Sequence, residues 1–360
     1  MNRNSKFQRY FLPGFIFQSL LIGGGYATGR ELVQFFLMHG PLGGLFGILF
    51  AALCFSIVSL ITFEFARITK SYNYRAFFRS LIGRWWWFFE LAFVLLAILI
   101  LGVIGSAAGE VVSQHLGIDS KWGTVSLMVL IGLLVFFGTW LIERVLAGWS
   151  FLLYFVYGIF VLLYLFNFGQ DFVDKLVIQP VHSEWLMGSI KYFGYNVAAL
   201  PLMLFCAHHM ESRKDAVISG ILAGPIAMIP ALLLYLAMVA SYPVILDSSV
   251  PSDYMMQQLN ITALAVIFYI VMFGTFVETG TACIHAINER LDDLFRERKA
   301  HMPQWLRPLI ALIALLGSIV LAQKFGLIEL IANGYGTLTW AFMVIYVVPL
   351  LTYGVYKTIR

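Results

Sequence analysis

The sequence predicts an all-α membrane protein of about ten transmembrane helices, and three observations carry that prediction: apolar composition, long apolar runs and a one-sided placement of Lys and Arg. Of 360 residues, 61% are hydrophobic and 12% charged, and the mean hydropathy is +0.86. Soluble domains hold roughly 45–50% apolar residues, so bilayer hydrocarbon must solvate much of this surface. In that medium the backbone satisfies itself only in helices or closed barrels. The runs are about 20 residues or longer without strand-like alternation, which selects helices.

Apolar runs bounded by charges or by Pro and Gly fall near 11–37, 42–67, 85–113, 122–142, 146–168, 189–210, 215–241, 261–288, 304–323 and 326–356. The first starts near Phe11 after a basic opening. It continues past Phe36 without a small-residue cleavage site, so it reads as a span and not as a signal peptide. With the amino terminus inside, the cytoplasmic side collects Arg3, Lys6, Arg9, Arg67, Lys70, Arg75, Arg79, Arg84, Arg144, Arg213, Lys214, Arg290, Arg296, Arg298, Lys299, Arg307, Lys357 and Arg360. The other side receives only Lys121, Lys175, Lys191 and Lys324. Short basic loops stay in the cytoplasm, and adding or removing one span would reverse the later clusters. The expectation is a multi-pass protein of the bacterial cytoplasmic membrane, one transmembrane domain over 1–360, with both termini inside. The lipid bilayer is its partner; the net charge of +4 follows from topology and calls for no nucleic acid.

Cys54, Cys206 and Cys283 fall inside apolar runs and read as small core residues, with neither disulfide nor metal-like spacing. Two connecting segments are more than turns. Residues 69–84, TKSYNYRAFFRSLIGR, predict a short helix at the inner interface before a tryptophan belt at Trp85–Trp87. Residues 243–260 predict an outer loop over an entrance. Each follows the second span of a five-span block, which suggests inverted repeats over 11–168 and 189–356.

The first span of each block is interrupted at mid-membrane. Gly23, Gly24, Gly25, Tyr26, Ala27, Thr28 and Gly29 place four glycines in seven residues, each costing a helix about 1 kcal/mol relative to alanine. The freed backbone groups need a cavity, an ion or another helix. Gly25 and Gly29 also match GxxxG, a close-packing pattern. Arg30 and Glu31 follow at once; charges at that depth are costly and face a cavity or a partner. A helix restarting near Arg30 would aim its amino-terminal end at the break and favour a carboxylate there. Arg30 would reinforce that or pair with a buried Glu as a gate, and Glu31 would contact the site or stabilise the first turn. In the other block the interruption runs through Tyr195, Asn196, Val197, Ala198 and Ala199 to Pro201, with a proline kink and Asn196 as interhelical glue the plainer alternative.

The eighth run adds Thr275, Glu278, Thr279, Thr281 and His285. Helical spacing sets Thr275, Glu278 and His285 on one stripe. Glu278 with hydroxyls beside an opened helix suits sodium or a carried proton, or else forms a structural pair with Arg30. Glu110 is a gate partner for Arg30 or an interface residue. Asn333 and Tyr335 are weaker candidates, and Glu64, Glu90 and Glu329 sit near span ends, where loop contacts suffice.

The segment GGGYATGRELVQFF and the ten-span layout resemble the YkvI-like bacterial membrane proteins. Those look related to the amino acid–polyamine–organocation superfamily, with its LeuT-like fold. The resemblance implies a five-plus-five inverted repeat with helices one and six broken. It also implies substrate between Gly23–Gly29 and Tyr195–Ala199, and a coupling ion near Ile22, Gly25, Thr275, Glu278 and Thr279. Sodium-coupled relatives usually offer small hydroxyls in helix eight; Glu278 departs from that pattern and favours protons. The function expected is a secondary transporter, coupling proton or sodium entry to symport of a small zwitterionic or anionic solute, an amino acid, by alternating access. A non-transporting ligand sensor on the same scaffold, like spore-germination receptor subunits, is the alternative. No repeated filter ring suggests a channel. No catalytic grouping, phosphate loop or cofactor motif suggests an enzyme.

Overall fold

A computed structural model describes residues 5–137, 139–172, 175, 176, 181, 183–297 and 299–359, without the side chains of 137, 139–148, 150, 151 and 171. Arg3, Arg298, Arg360 and the side chain of Arg144, assigned above to the inner face, lie outside the described residues. Every element among the described residues is helical. Among the described residues, six segments are long and apolar enough to cross a membrane: Pro41–Thr69, Tyr74–Leu116, Trp185–His209, Arg213–Val239, Thr262–Glu297 and Leu306–Ile359. Shorter apolar helices cover Leu12–Leu21, Ser120–Phe136 and Leu152–Phe168.

The chain opens with α1 (Lys6–Tyr10), capped by Ser5, and α2 (Leu12–Leu21), followed by the two short helices α3 (Gly24–Ala27) and α4 (Arg30–Phe35). Next come α5 (Pro41–Thr69), α6 (Tyr74–Ile82), α7 (Trp87–Leu116), α8 (Ser120–Phe137) and α9 (Thr139–Phe168). The second half holds α10 (Trp185–Asn196), α11 (Arg213–Val239), α12 (Pro251–Leu259), α13 (Thr262–Glu297), α14 (Leu306–Glu329), α15 (Gly336–Phe342) and α16 (Val355–Ile359). Leu306–Ile359 would reach about 80 Å as one rod, far more than a bilayer needs. Gly326, with φ 69° and ψ 172°, divides it. Beyond Gly326 the chain passes through π-helical turns, the first at Leu330–Tyr335.

Both interruptions foreseen in the sequence are present, and they differ in kind. In the first, Ile22 and Gly23 leave helical geometry and Gly29 takes a left-handed conformation with φ 75°. In the second, the chain does not open. It tightens after Asn196 into a 3-10 helix over Val197–His209. Pro201 explains this, because it has no N–H for the carbonyl of Val197 and its ring crowds that carbonyl, so the ordinary α ladder cannot run through it.

Packing of α5 on α11 depends on bare backbone. A Cβ on Gly224 would lie 2.1 Å from the carbonyl oxygen of Ala52, and one on Gly220 would lie 2.3 Å from Cα of Leu60. These small residues one turn apart let the rods touch where lipid offers no hydrophobic drive. Gly224→Ala should therefore destabilise the protein by about 1–3 kcal/mol or more, the cost of overpacking against atoms that cannot yield. Thermal unfolding in detergent measures it; an unchanged midpoint would contradict this packing.

Residues 69–84 hold the short helix predicted there, whereas 243–260, expected as a loop, folds into the turn Val244–Asp247 and the helix α12. Asn73 caps α6, accepting from the backbone N–H of Ala76 at 2.8 Å, and Phe77, Phe78 and Leu81 are buried beneath it. At the other end α12 buries Pro251, Ser252, Asp253, Met255 and Met256 against the bundle.

Candidate functional site

The first break and α10 meet at a cavity of about 380 Å³. From the break, Ile22, Gly23, Gly24 and Gly25 line it, and Glu31 reaches back over Gly25. A Cβ on Gly25 would lie 2.2 Å from Oε1 of Glu31, so any side chain there would push that carboxylate aside. Tyr195, Asn196, Ala198 and Ala199 line the facing wall, and Glu278 and Thr279 of α13 complete it.

One hydrogen bond joins the two interrupted helices. The hydroxyl of Tyr195 donates to Oε2 of Glu31 at 2.5 Å, both groups being buried. The Tyr195 ring stacks on Tyr335 with centroids 4.4 Å apart and planes 13° from parallel. Tyr335 also lines the cavity, so a weaker sequence candidate is part of the site. Asn196 donates from its amide to the carbonyl of Tyr192 at 3.0 Å, within its own helix.

Not every freed backbone group faces the cavity. The backbone N–H of Gly24 donates to the Thr279 hydroxyl at 3.1 Å, and the hydroxyl of Thr28 donates to the carbonyl of Gly25 at 2.6 Å. The carbonyl of Ala27 accepts from Tyr157 at 2.5 Å and from the Ser252 hydroxyl at 2.9 Å. The Thr28 carbonyl accepts from the backbone N–H of Ser252 at 3.0 Å. The second half of the break, Ala27 to Gly29, is thus sealed by α9 and α12, and only its first half, Ile22 to Gly25, remains for a ligand. Ser252 and Tyr157 carry this seal. Neither stands in a recognisable motif; the only hint was that 243–260 reads as a cover.

Several candidates lie elsewhere. Tyr26 is buried against a neighbouring apolar cavity of about 390 Å³, where Tyr157 and Pro230 also contribute. Val197 and Thr275 are buried outside the cavity lining, the Thr275 hydroxyl donating to the carbonyl of Val271 at 2.8 Å. Arg30 does not gate through a carboxylate. Its guanidinium donates to the carbonyls of Leu246 and Ser248 at 2.8 and 2.9 Å and to the side-chain oxygen of Gln34 at 3.1 Å. Glu110 is half-buried, and among the described residues it has no ion-pair or hydrogen-bond partner, so it makes no pair with Arg30. The charge of Arg30 is instead satisfied by the open carbonyl ends of the turn Val244–Asp247.

No family model matches the chain. It is 27% identical over 217 residues to the uncharacterized membrane protein YkvI of Bacillus subtilis, a match that takes in 57% of this chain and 60% of that protein. In three dimensions it is similar to the manganese transporter of Eremococcus coleocola. Two point mutants of that protein align at a TM-score of 0.59 and 16% identity, over 97% of this chain and 80% of theirs. A complex of the same transporter with an aromatic bis-isothiourea compound aligns at 0.53, over 94% of this chain and 77% of that one. Identity that low speaks to fold alone. The chain is an all-helical membrane protein similar to YkvI, with a fold similar to that of the Eremococcus coleocola transporter.

Proposed function

We propose that the protein is a secondary active transporter, a proton- or sodium-coupled symporter of a small zwitterionic or anionic organic solute, an amino acid, working by alternating access. The reading includes ten spans in two inverted five-span repeats over 11–168 and 189–356. It sits in the bacterial cytoplasmic membrane with both termini inside. The observation that carries it is the Glu31–Tyr195 hydrogen bond between two interrupted helices at a cavity large enough for such a solute. Paired breaks at mid-membrane are where carriers of this architecture bind substrate.

The closed face is the outer one. Ser252 and Arg30 hold α12 and its preceding turn onto the break, while the cavity runs past Ser19, Leu20, Phe93 and Ala286 toward the basic end. That arrangement suits an inward-facing state. Two carboxylates, Glu31 and Glu278, line the cavity, and a buried acid that alternates between faces can carry a proton. The manganese transporters raise a divalent cargo as an alternative. Hard cations want several oxygen ligands, and among the described residues no three His, Cys, Asp or Glu side chains gather in a metal-like group.

The test is uptake of a radiolabelled mixture of the common amino acids into proteoliposomes under imposed proton or sodium gradients. Wild type should accumulate label with a proton gradient, and Glu278→Gln should still exchange label while losing accumulation. Binding without uptake under any gradient would instead favour a ligand sensor on the same scaffold. Manganese uptake with no amino acid uptake would overturn the proposal.

A further inference from the structure

A second cavity, of about 640 Å³, adjoins the site on its closed side. Phe35 lines it, and the Phe35 ring meets that of Tyr195, a wall of the central cavity, at 5.7 Å. The turn Leu330–Tyr335 likewise faces both ways, with Asn333 on the outer cavity and Tyr335 on the central one. One layer of aromatic rings therefore parts the two chambers.

The outer chamber has polar walls. From α10 and its cap come Glu184, Met187, Gly188 and Lys191, the spacing of a single helix face. Lys191 is half-buried, its carbonyl held by the Thr339 hydroxyl at 2.6 Å and its stem close to Gly336, where a Cβ would lie 3.8 Å from Cδ. Among the described residues its ammonium has no ion-pair or hydrogen-bond partner. Across the chamber, Gln34 accepts from Arg30 through its oxygen, which leaves its amide N–H groups as donors. An ammonium and an amide suit a carboxylate, and Glu184 at the rim suits an amine.

We propose that this outer cavity is a loading site, which takes the carboxylate of the transported zwitterion on Lys191 before the Phe35–Tyr195 layer opens. It rests on the transport reading above and deepens it by giving the solute a first contact outside the central cavity.

Two measurements test it. In the proteoliposome assay, Lys191→Gln should raise the external half-saturation concentration of the amino acid mixture about tenfold, the loss of one charged contact, with the maximal rate kept and Lys191→Arg restoring uptake. An unchanged half-saturation, or a fall in maximal rate alone, would overturn the proposal. The second measurement needs no transport. Acetylation of Lys191 by sulfo-N-hydroxysuccinimide acetate, followed by peptide mass spectrometry on purified protein, should slow about threefold with the mixture at twice its dissociation constant. Lys121 and Lys324 should react at unchanged rates. Protection should persist in Ala199→Trp, which fills the central cavity; equal rates with and without amino acids, or protection lost in that variant, would overturn the loading site. Protection without uptake by wild type would leave the loading site standing as a binding site and reject the transport reading.

Discussion

Glu31→Gln is expected to cut proton-driven accumulation about a hundredfold, equivalent to roughly 2.7 kcal/mol, while ligand binding survives. Glutamine keeps an oxygen where Tyr195 donates, so the link between the interrupted helices persists, but the side chain no longer takes up a proton. Tyr195→Phe removes the donor and leaves the carboxylate in place. A hydrogen bond to a charged group contributes about 1.5–3 kcal/mol, so this variant should also lose much of its accumulation. Because both act on the Glu31 carboxylate, one replacing it and the other removing its donor, Glu31→Gln with Tyr195→Phe should be little worse than Glu31→Gln alone. Additive losses in the proteoliposome assay would show that the two groups work separately, and wild-type accumulation in both single variants would remove Glu31 from the mechanism.

Glu90→Ala should destabilise the protein by about 3–5 kcal/mol, because it leaves the buried Arg290 without its acid and Arg75 with only the partly exposed Asp293 and Glu297. Glu90 accepts from Nε of Arg75 at 3.1 Å and from Arg290 at 2.5 Å. Arg75 donates in turn to the carbonyl of Arg290 at 2.7 Å. The three side chains are only 13%, 9% and 6% exposed. Arg290 also lies over the rings of Phe93 and Tyr74, at 3.7 and 4.1 Å from their centroids. The cluster ties α6 and α7 to α13 beside Phe93, which lines the central cavity. Glu211→Ala is the matched control. Glu211 is 61% exposed opposite Arg9, and an exposed pair contributes about 1 kcal/mol or less. Unfolding midpoints in detergent compare the two, and a Glu90 effect no larger than that of Glu211 would refute the buried cluster.

Nothing local in the sequence marked Glu90 for that role. It stands near a span end, where a loop contact satisfies a carboxylate, and its partner Arg290 is 200 residues away. The break at Gly23–Gly29 was legible because glycine weakens a helix wherever the rest of the chain lies. Pro201 was legible for a similar local reason, though an open gap was expected and the chain forms a 3-10 helix instead. Arg30 and Glu31 mark the limit. Neighbours on a helix point about 100° apart, so only one of the two can face a given cavity. Sequence left open which one; in the structure Glu31 faces the cavity and Arg30 binds the turn before α12. Thr275 fails to reach the cavity for the same reason, since sharing a stripe with Glu278 does not fix how the rod is rotated or whether its hydroxyl turns back on Val271.

By itself the sequence determined the solvent, the helical class, the two interrupted rods and the short amphipathic helix α6, because each follows from composition or from backbone cost within a few residues. Tertiary structure decided which charge meets the cavity, that α12 seals the Ala27–Gly29 half of the break, and that Tyr195 and Tyr335 stack at the cavity wall. Those depend on the rotation and approach of rods far apart in the chain, and local periodicity holds no term for either.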